Sequence, residues 1–152
     1  MKYSALVEVY ERLTKTTKRL DKTYFIAQLI HDTPTAELEQ IMLLLEGKVF
    51  HPWEEEKIGM ASRLVVKAIV VASGISTEKV EQEWKKTGDL GQVAHNFIGK
   101  KKQSTLMTRE LTVDKVFTNL RKLAGVQGSG AVDRKIQYCT ELLTRAGPLE
   151  AQ

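Results

Sequence analysis

The chain has 152 residues, of which 42% are hydrophobic and 28% charged, and a formal net charge of +4. This length fits one compact domain with a core. No apolar run approaches the ~18 residues of a membrane span, no secretory signal opens the chain, and the one cysteine, Cys139, excludes an internal disulfide. We therefore expect an intracellular protein without a membrane partner.

The positive charge is concentrated in two segments. Residues 99–135 carry nine Lys/Arg against three Asp/Glu, and residues 12–22 carry five positive residues against one Asp, whereas residues 1–98 as a whole carry thirteen against fourteen. Separated basic segments on a near-neutral body are typical of a surface that binds a polyanion. They also occur on proteins that bind none, so charge alone leaves the function open.

Helical periodicity begins at the N-terminus with two amphipathic segments. The apolar stripe of the first is Ala5, Leu6, Val9, Tyr10 and Leu13, and that of the second begins with Leu20, Tyr24, Ala27 and Ile30. Thr33 followed by Pro34 predicts a capped third helix, which ends at Gly47.

The rest of the chain predicts further helices with clear N-terminal and C-terminal helix signals. They run from about Glu55 to Ser73, from Ser76 or Thr77 to Gly88, from an Asp89 cap through "LGQVAHNFIG", from a Thr112 cap through "VDKVFTNLRKLAG", and from Gly130 or Ala131 to Ala146. No run alternates at period two for long enough to predict a strand. We expect one compact, orthogonal all-α domain of about eight helices over residues 1–152.

The sequence offers no catalytic constellation. His31, His51 and His95 are far apart with no partner at metal-ligand spacing, and Cys139 lies on the apolar side of the last helix, as a core thiol does. Glu54, Glu55 and Glu56 read as negative charge at a helix start, which suits the helix dipole. We expect Trp53 and Trp84 to anchor core contacts and Gly91 to allow a close helix–helix approach.

The loop of residues 124–135, "AGVQGSGAVDRK", contains a cluster of glycines that needs a physical explanation. It lacks the spacing of a P-loop, and Asp133 stands where a dinucleotide-binding fingerprint needs a third glycine. What remains is a glycine-rich turn feeding a helix that carries Arg134 and Lys135. Such a turn favours an anion at the helix N-terminus. An ordinary flexible turn beside a solvated basic helix face accounts for the same residues equally well.

Read together, several segments resemble the N-terminal DNA-binding domain of ATP-dependent DNA ligases, particularly the archaeal type. They are "MKYSALVEVYERLTKTTKRLDKT", "KTGDLGQVA", "LTVDKVFTNLRKLA", "QGSGAVDRK" and "RAGPLEAQ". The resemblance covers nearly the whole chain and is specific in order and spacing. It implies an all-helical domain that grips nicked duplex DNA across the minor groove, with the glycine-serine loop against the phosphate backbone, in DNA replication, repair and recombination.

Carried over by position, the resemblance implies a set of DNA-binding residues. They are Gly128, Ser129, Gly130, Arg134 and Lys135, together with Arg19, Lys18 and Lys22 in the second basic segment. Contacts of this kind would be to phosphates, so they would position the duplex rather than read its sequence.

The sequence also departs from the family pattern. Ligases of this family adenylate a lysine in a K-x-D-G motif, which does not occur in these 152 residues, and their DNA-binding domain continues past "PLEA". We therefore expect a fragment that lacks the adenylation and OB-fold domains, binds no cofactor itself and is inactive alone. ATP and Mg²⁺ would be used by the full-length parent.

The basic connector of residues 99–111 permits a second hypothesis. Archaeal ligases of this type can carry a sliding-clamp motif there, and Gln103, Leu106 and Met107 have its spacing but lack its usual aromatics. Alternatively, Leu106 and Met107 pin the loop to the core. The rival for the whole chain is a helical adaptor that binds protein and has no DNA role.

Overall fold

The computed structural model describes residues 1–100 and 110–152, and within them the chain forms nine α-helices and no β-strand. This confirms the all-α prediction. The helices are α1 (Tyr3–Lys15), α2 (Arg19–Asp32), α3 (Leu38–Leu45), α4 (Ser62–Ser73), α5 (Thr77–Thr87), α6 (Leu90–Ile98), α7 (Val113–Gly125), α8 (Ala131–Arg145) and α9 (Pro148–Ala151), with a 3-10 turn at Thr35–Glu37.

Two groups of helices each bury a core cluster. The first joins α1, α2, α3 and α7 around Leu6, Val9, Leu29, Ile41, Leu43, Leu44, Val49, Val113 and Phe117. The second joins α4, α5, α6 and α8 around Val66, Ala68, Ile69, Val80, Val93, Ala94, Ile98 and Leu143. The connector of residues 46–61 and the turn of residues 126–130 both cross from one group to the other, and each carries residues of the candidate site described below.

Local capping chemistry starts two helices where the sequence predicts them. The carboxylate of Asp89 accepts a hydrogen bond from the Gly91 N–H at 2.8 Å, and the hydroxyl of Thr112 accepts one from the Lys115 N–H at 3.2 Å. Each side chain satisfies an otherwise unpaired donor in the first turn of its helix. Gly91 also allows the predicted close approach, because an added Cβ would lie 2.4 Å from the Gln152 carbonyl oxygen beyond α9.

The predicted start of the third helix is wrong. The Thr33 hydroxyl donates back to the Leu29 carbonyl at 2.6 Å, so this residue closes α2 instead of capping a new helix. Pro34 then leads into the 3-10 turn, and α3 begins only at Leu38.

The fourth helix also begins later than predicted, at Ser62 rather than Glu55. Residues 54–61 form no helix, because Glu54 turns toward Arg121 of α7 and Gly59 adopts a positive φ of 56°. The three glutamates at residues 54–56 are therefore not helix-start charges, and that prediction is wrong.

The predicted apolar stripe of α2 does not face the core. All four of its residues are exposed, Leu20 to 83% and Tyr24 to 58%. α2 instead packs through buried Leu29 and partly buried Phe25, which lie one turn apart on another face. The helix carries apolar residues on two faces, and only one of them contacts the core.

Candidate nucleic-acid interface

The glycine-rich turn connects the end of α7 at Gly125 to the start of α8 at Ala131. Gly128 and Gly130 have φ values of +80° and +74°, a left-handed conformation that side chains other than glycine rarely adopt. Apart from each glycine and its two chain neighbours, no heavy atom of the described residues lies within 4 Å of the position that a Cβ would take there. The turn therefore presents bare, open backbone at its surface.

Arg134 holds this turn in shape. Its Nη2 donates to the carbonyl oxygens of Gln127 at 3.0 Å and Ser129 at 3.3 Å. Both acceptors are neutral, so the positive charge of the guanidinium is not cancelled, and the side chain is exposed. The residue supports the turn and leaves a cation beside it.

Lys135 lies next to Arg134 on α8 but points toward a different partner. Its Nζ donates to the backbone carbonyl of Gly59 at 2.8 Å. The bond ties the first turns of α8 to the connector of residues 46–61, so the predicted phosphate ligand also links the two crossing segments.

Arg121 of α7 contacts the same connector at Val49 and Glu54. Its guanidinium donates to the Val49 carbonyl at 2.7 Å, forms an ion pair with Glu54 and lies 4.6 Å from the centroid of the Phe50 ring. The hydrogen bond from Arg121, followed by that from the His51 N–H, lowers the pKa of Glu54 to about 2. A salt bridge therefore anchors the connector at neutral pH.

Trp53 is not a core residue, contrary to the sequence prediction. Its side chain is 77% exposed and stacks on the His51 ring, with centroids 4.3 Å apart and an interplanar angle of 5°. The His51 Nε2 lies 2.8 Å from a Glu39 carboxylate oxygen. Trp84 does pack against the second core cluster, as predicted.

The second basic segment lies at the start of α2. Lys18, Arg19 and Lys22 are exposed, and their side chains make no hydrogen bond or ion pair with any residue in 1–100 and 110–152. The carboxylate of this segment, Asp21, accepts a hydrogen bond from the Thr16 hydroxyl at 3.0 Å. Within the described part of the chain, no side chain caps the α2 N-terminus, which is the positive end of the helix dipole.

The predicted DNA-binding residues thus fall into two sets. The first is the turn of Gly128, Ser129 and Gly130 with Arg134 and Lys135, and the second is Lys18, Arg19 and Lys22. The first set lies where α7 joins α8, while α2 packs principally on α1 in the first helix group. The structure brings residues together within each set and places the two sets on separate elements.

The remaining chemistry of the described residues is sparse. Burial raises the pKa of the Cys139 thiol to about 11, so a core thiol is confirmed and a thiolate nucleophile is disfavoured. In residues 1–100 and 110–152, no three His, Cys, Asp or Glu side chains come together to hold a metal ion. No described helix is long and apolar enough to cross a membrane. The predicted clamp residues Gln103, Leu106 and Met107 lie outside the described residues.

Comparisons with known proteins place this geometry in context. A family described as "DNA ligase N terminus" matches residues 2–152. The DNA ligase of Methanosphaera stadtmanae is 40% identical over 99% of this chain and 28% of its own length. The ligase of Thermococcus fumicolans is 39% identical over 100% of this chain and 27% of its own. The ligase of Nitrosopumilus maritimus is 36% identical over 99% of this chain and 26% of its own. The chain thus spans about a quarter of the length of these relatives.

Proposed function

This chain belongs to the DNA ligase N-terminal family, and on that premise we propose that it binds double-stranded DNA without sequence preference. The contacts run along the phosphate backbone across the minor groove of a nicked duplex. In the whole ligase they hold the nick for sealing in DNA replication, repair and recombination. The contribution to rate is one of positioning, because the two strand ends must be aligned before they are joined.

The observation that carries the proposal is the open turn between α7 and α8. Gly128 and Gly130 leave both Cβ positions clear, so a phosphate can approach the backbone without meeting a side chain. The turn leads into α8, whose N-terminal dipole favours an anion. Arg134 and Lys135 add two positive charges in the first turns of this helix, against one negative charge from Asp133.

Lys18, Arg19 and Lys22 supply the second set of contacts. Their ammonium and guanidinium groups have no partner within the described part of the chain, so binding DNA breaks no internal salt bridge at this set. Phosphate contacts from two separate elements fix the orientation of a duplex but carry no sequence information. That combination suits an enzyme that must act at any nick.

We place no ATP or Mg²⁺ site on this chain. The adenylated lysine of ATP-dependent ligases lies in a K-x-D-G motif that these 152 residues do not contain. The carboxylates and histidines of residues 1–100 and 110–152 form no group that fits a metal ion. ATP and Mg²⁺ act in the adenylation domain of the whole ligase, while this chain binds the duplex.

A salt titration of binding to a short labelled duplex tests the proposal. We expect micromolar or weaker affinity at physiological salt, with log K falling linearly as log salt concentration rises, because bound phosphates release counterions. Duplexes of different sequence should bind alike. Binding that does not change with salt, or no binding at low salt, would contradict the proposal and favour the helical protein-interaction adaptor.

A further inference from the structure

Trp53 lies at the surface with its indole held in one orientation. The ring is 77% exposed and stacks on the His51 ring. His51 is fixed in turn, because its Nε2 lies 2.8 Å from a carboxylate oxygen of Glu39 and its N–H donates to Glu54 at 2.6 Å. Among residues 1–100 and 110–152, no other ring and no cation lies against the indole. One face of Trp53 is therefore covered by a fixed ring, and the other is open to a partner.

The connector of residues 46–61 is acidic, although the chain as a whole is basic. It carries four glutamates against two lysines, whereas the net charge of the chain is +4. Glu55 and Glu56 are exposed, and within the described part of the chain they form no hydrogen bond or ion pair. They follow Trp53 so closely in sequence that their Cα atoms lie within about 11 Å of its own. At low salt, charges at this range act on a group bound at the indole.

Arg121 shows that this part of the molecule already holds one arginine between an aromatic ring and carboxylates. Its guanidinium lies 4.6 Å from the Phe50 ring centroid and forms an ion pair with Glu54. The Glu54 hydrogen bond is the largest cause that raises the pKa of Arg121, and the charges of Glu56 and Glu39 raise it further. One guanidinium thus lies near three carboxylates, which leaves an excess of negative charge beside the exposed indole.

An arginine side chain matches both the open indole face and the excess of carboxylates. A guanidinium is planar and weakly hydrated, stacks on aromatic rings and pairs with carboxylates. A nucleic acid would instead bring phosphates close to glutamates, which repel them. A neutral apolar surface would desolvate the carboxylates without supplying partners, which is costly. The partner that fits is therefore a basic protein segment that contains arginine.

We infer that Trp53 binds an arginine of a basic protein segment, with the guanidinium on the open face of the indole. Glu39, Glu55 and Glu56 attract the segment through their negative charge. The inference does not rest on DNA binding, because it concerns a surface of opposite charge and a protein partner. It also accounts for a tryptophan that none of the core clusters of the described residues includes.

A labelled hexapeptide of alternating arginine and glycine, mixed with the full chain at low salt, tests the inference by fluorescence anisotropy. The chain has a net positive charge, so its binding of a cationic peptide reports a local site. Trp53→Ala should weaken binding by about two- to fivefold, the effect of losing an exposed cation–π contact. Trp53→Phe should retain part of the affinity. Tyr24→Ala, at a 58% exposed aromatic residue of α2, is the control and should bind as the parent does.

Two further comparisons test the role of charge. Glu55→Gln/Glu56→Gln should weaken peptide binding by about threefold, the effect of losing two exposed charge interactions. Glu78→Gln/Glu81→Gln removes the same charge from exposed positions of α5 and should leave binding unchanged. A peptide with citrulline in place of arginine keeps the planar shape without the charge and should not bind.

Several results would overturn the inference. They are no binding of the arginine peptide, equal binding by folded Trp53→Ala, equal losses in the two glutamine variants, and binding of the citrulline peptide as tight as that of the arginine peptide. Weaker duplex DNA binding by folded Trp53→Ala would also overturn it, because Trp53 would then belong to the nucleic-acid interface. A parent chain that binds the peptide but shows no salt-dependent DNA binding would contradict the proposed function alone. Circular dichroism verifies that every variant is folded.

Discussion

The Lys135 ammonium donates a 2.8 Å hydrogen bond to the carbonyl oxygen of Gly59, 76 residues earlier in the chain. The acceptor is neutral and an ammonium group has three donors, so the bond leaves the positive charge and further donors available to a phosphate. Lys135 thus has a structural contact and a proposed DNA contact, whereas Arg134 braces only its own turn. Variants of either residue must therefore be measured for stability as well as for DNA affinity.

Alanine at Gly128 or Gly130 should weaken duplex binding and destabilise the fold by about 1–2 kcal/mol, the cost of a left-handed conformation for an L-residue. There is space for the methyl group at both positions, so the penalty comes from the backbone. Urea unfolding and anisotropy with labelled duplex measure the two effects.

Gly125→Ala is the matched control for these variants. Gly125 ends α7 without a positive φ, and beyond its chain neighbours and the α7 backbone no described atom lies within 4 Å of its Cβ position. Alanine is compatible there and should leave stability equal or raise it by up to about 1 kcal/mol. Equal stability and affinity for all three variants would show that the left-handed turn has no role.

The Glu54–Arg121 ion pair predicts a pH-dependent contribution to stability. The pKa of Glu54 is about 2 in the folded protein against 4.5 for an ordinary glutamate, so the folded state favours the ionised form. Stability from this pair is fully present above the ordinary pKa and is lost as pH falls through the folded pKa. Glu54→Gln should therefore lower the urea midpoint at neutral pH, and the difference from the parent should shrink as pH falls toward 2.

Glu46→Gln provides the control for that measurement. Glu46 forms an ion pair with Lys48, and the hydrogen bond from this lysine lowers the pKa of Glu46. Unlike the Glu54–Arg121 pair, this pair is exposed and joins residues that are close in sequence. Exposed pairs contribute little to stability. A Glu54→Gln variant whose effect at neutral pH is as small as that of Glu46→Gln would contradict the anchoring role of the Arg121 contact.

The Asp89 cap predicts a specific loss of stability. Asp89→Ala removes the acceptor for the Gly91 N–H and should cost about 1 kcal/mol, as the loss of an N-cap usually does. Ser76→Ala changes the N-cap of the preceding helix, where the side chain makes no capping hydrogen bond, and should cost less. Thermal unfolding followed by circular dichroism compares the two, and equal losses would argue that the Asp89 hydrogen bond is not responsible.

The sequence predicted those parts of the fold that short-range chemistry controls. Asp89 and Thr112 cap their helices, and glycines in a left-handed conformation end α4 and α5, because both signals depend on residues within one turn. The glycine-rich turn was identified for the same reason. The glycines alone indicate a backbone conformation that residues with a Cβ rarely adopt.

Long-range contacts explain what the sequence did not predict. Glu54 reads as a helix-start charge until its partner Arg121, 67 residues away, is known. Leu20 and Tyr24 have helical spacing as good as that of the α2 core face, and only the packing of α2 on its neighbours decides which face is buried. For the candidate site, the residue types were predictable, but the Lys135 bond to the connector was not.

Salt slopes of duplex binding for two charge-matched double variants decide whether the glycine-rich turn binds DNA. Arg134→Ala/Lys135→Ala removes the cations beside the glycine turn, and Lys85→Ala/Lys86→Ala removes two exposed lysines at the end of α5. Both variants lose the same net charge, so a difference between them reports position rather than overall charge.

We expect the Arg134/Lys135 variant to bind duplex DNA more weakly than the parent, with a salt slope smaller by up to about two, while the Lys85/Lys86 variant keeps the parent slope. Circular dichroism and urea unfolding of both variants establish that they are folded. A folded Arg134/Lys135 variant with the affinity and salt slope of the parent would contradict the account, because the glycine-rich loop would then be a turn and not a DNA-binding site.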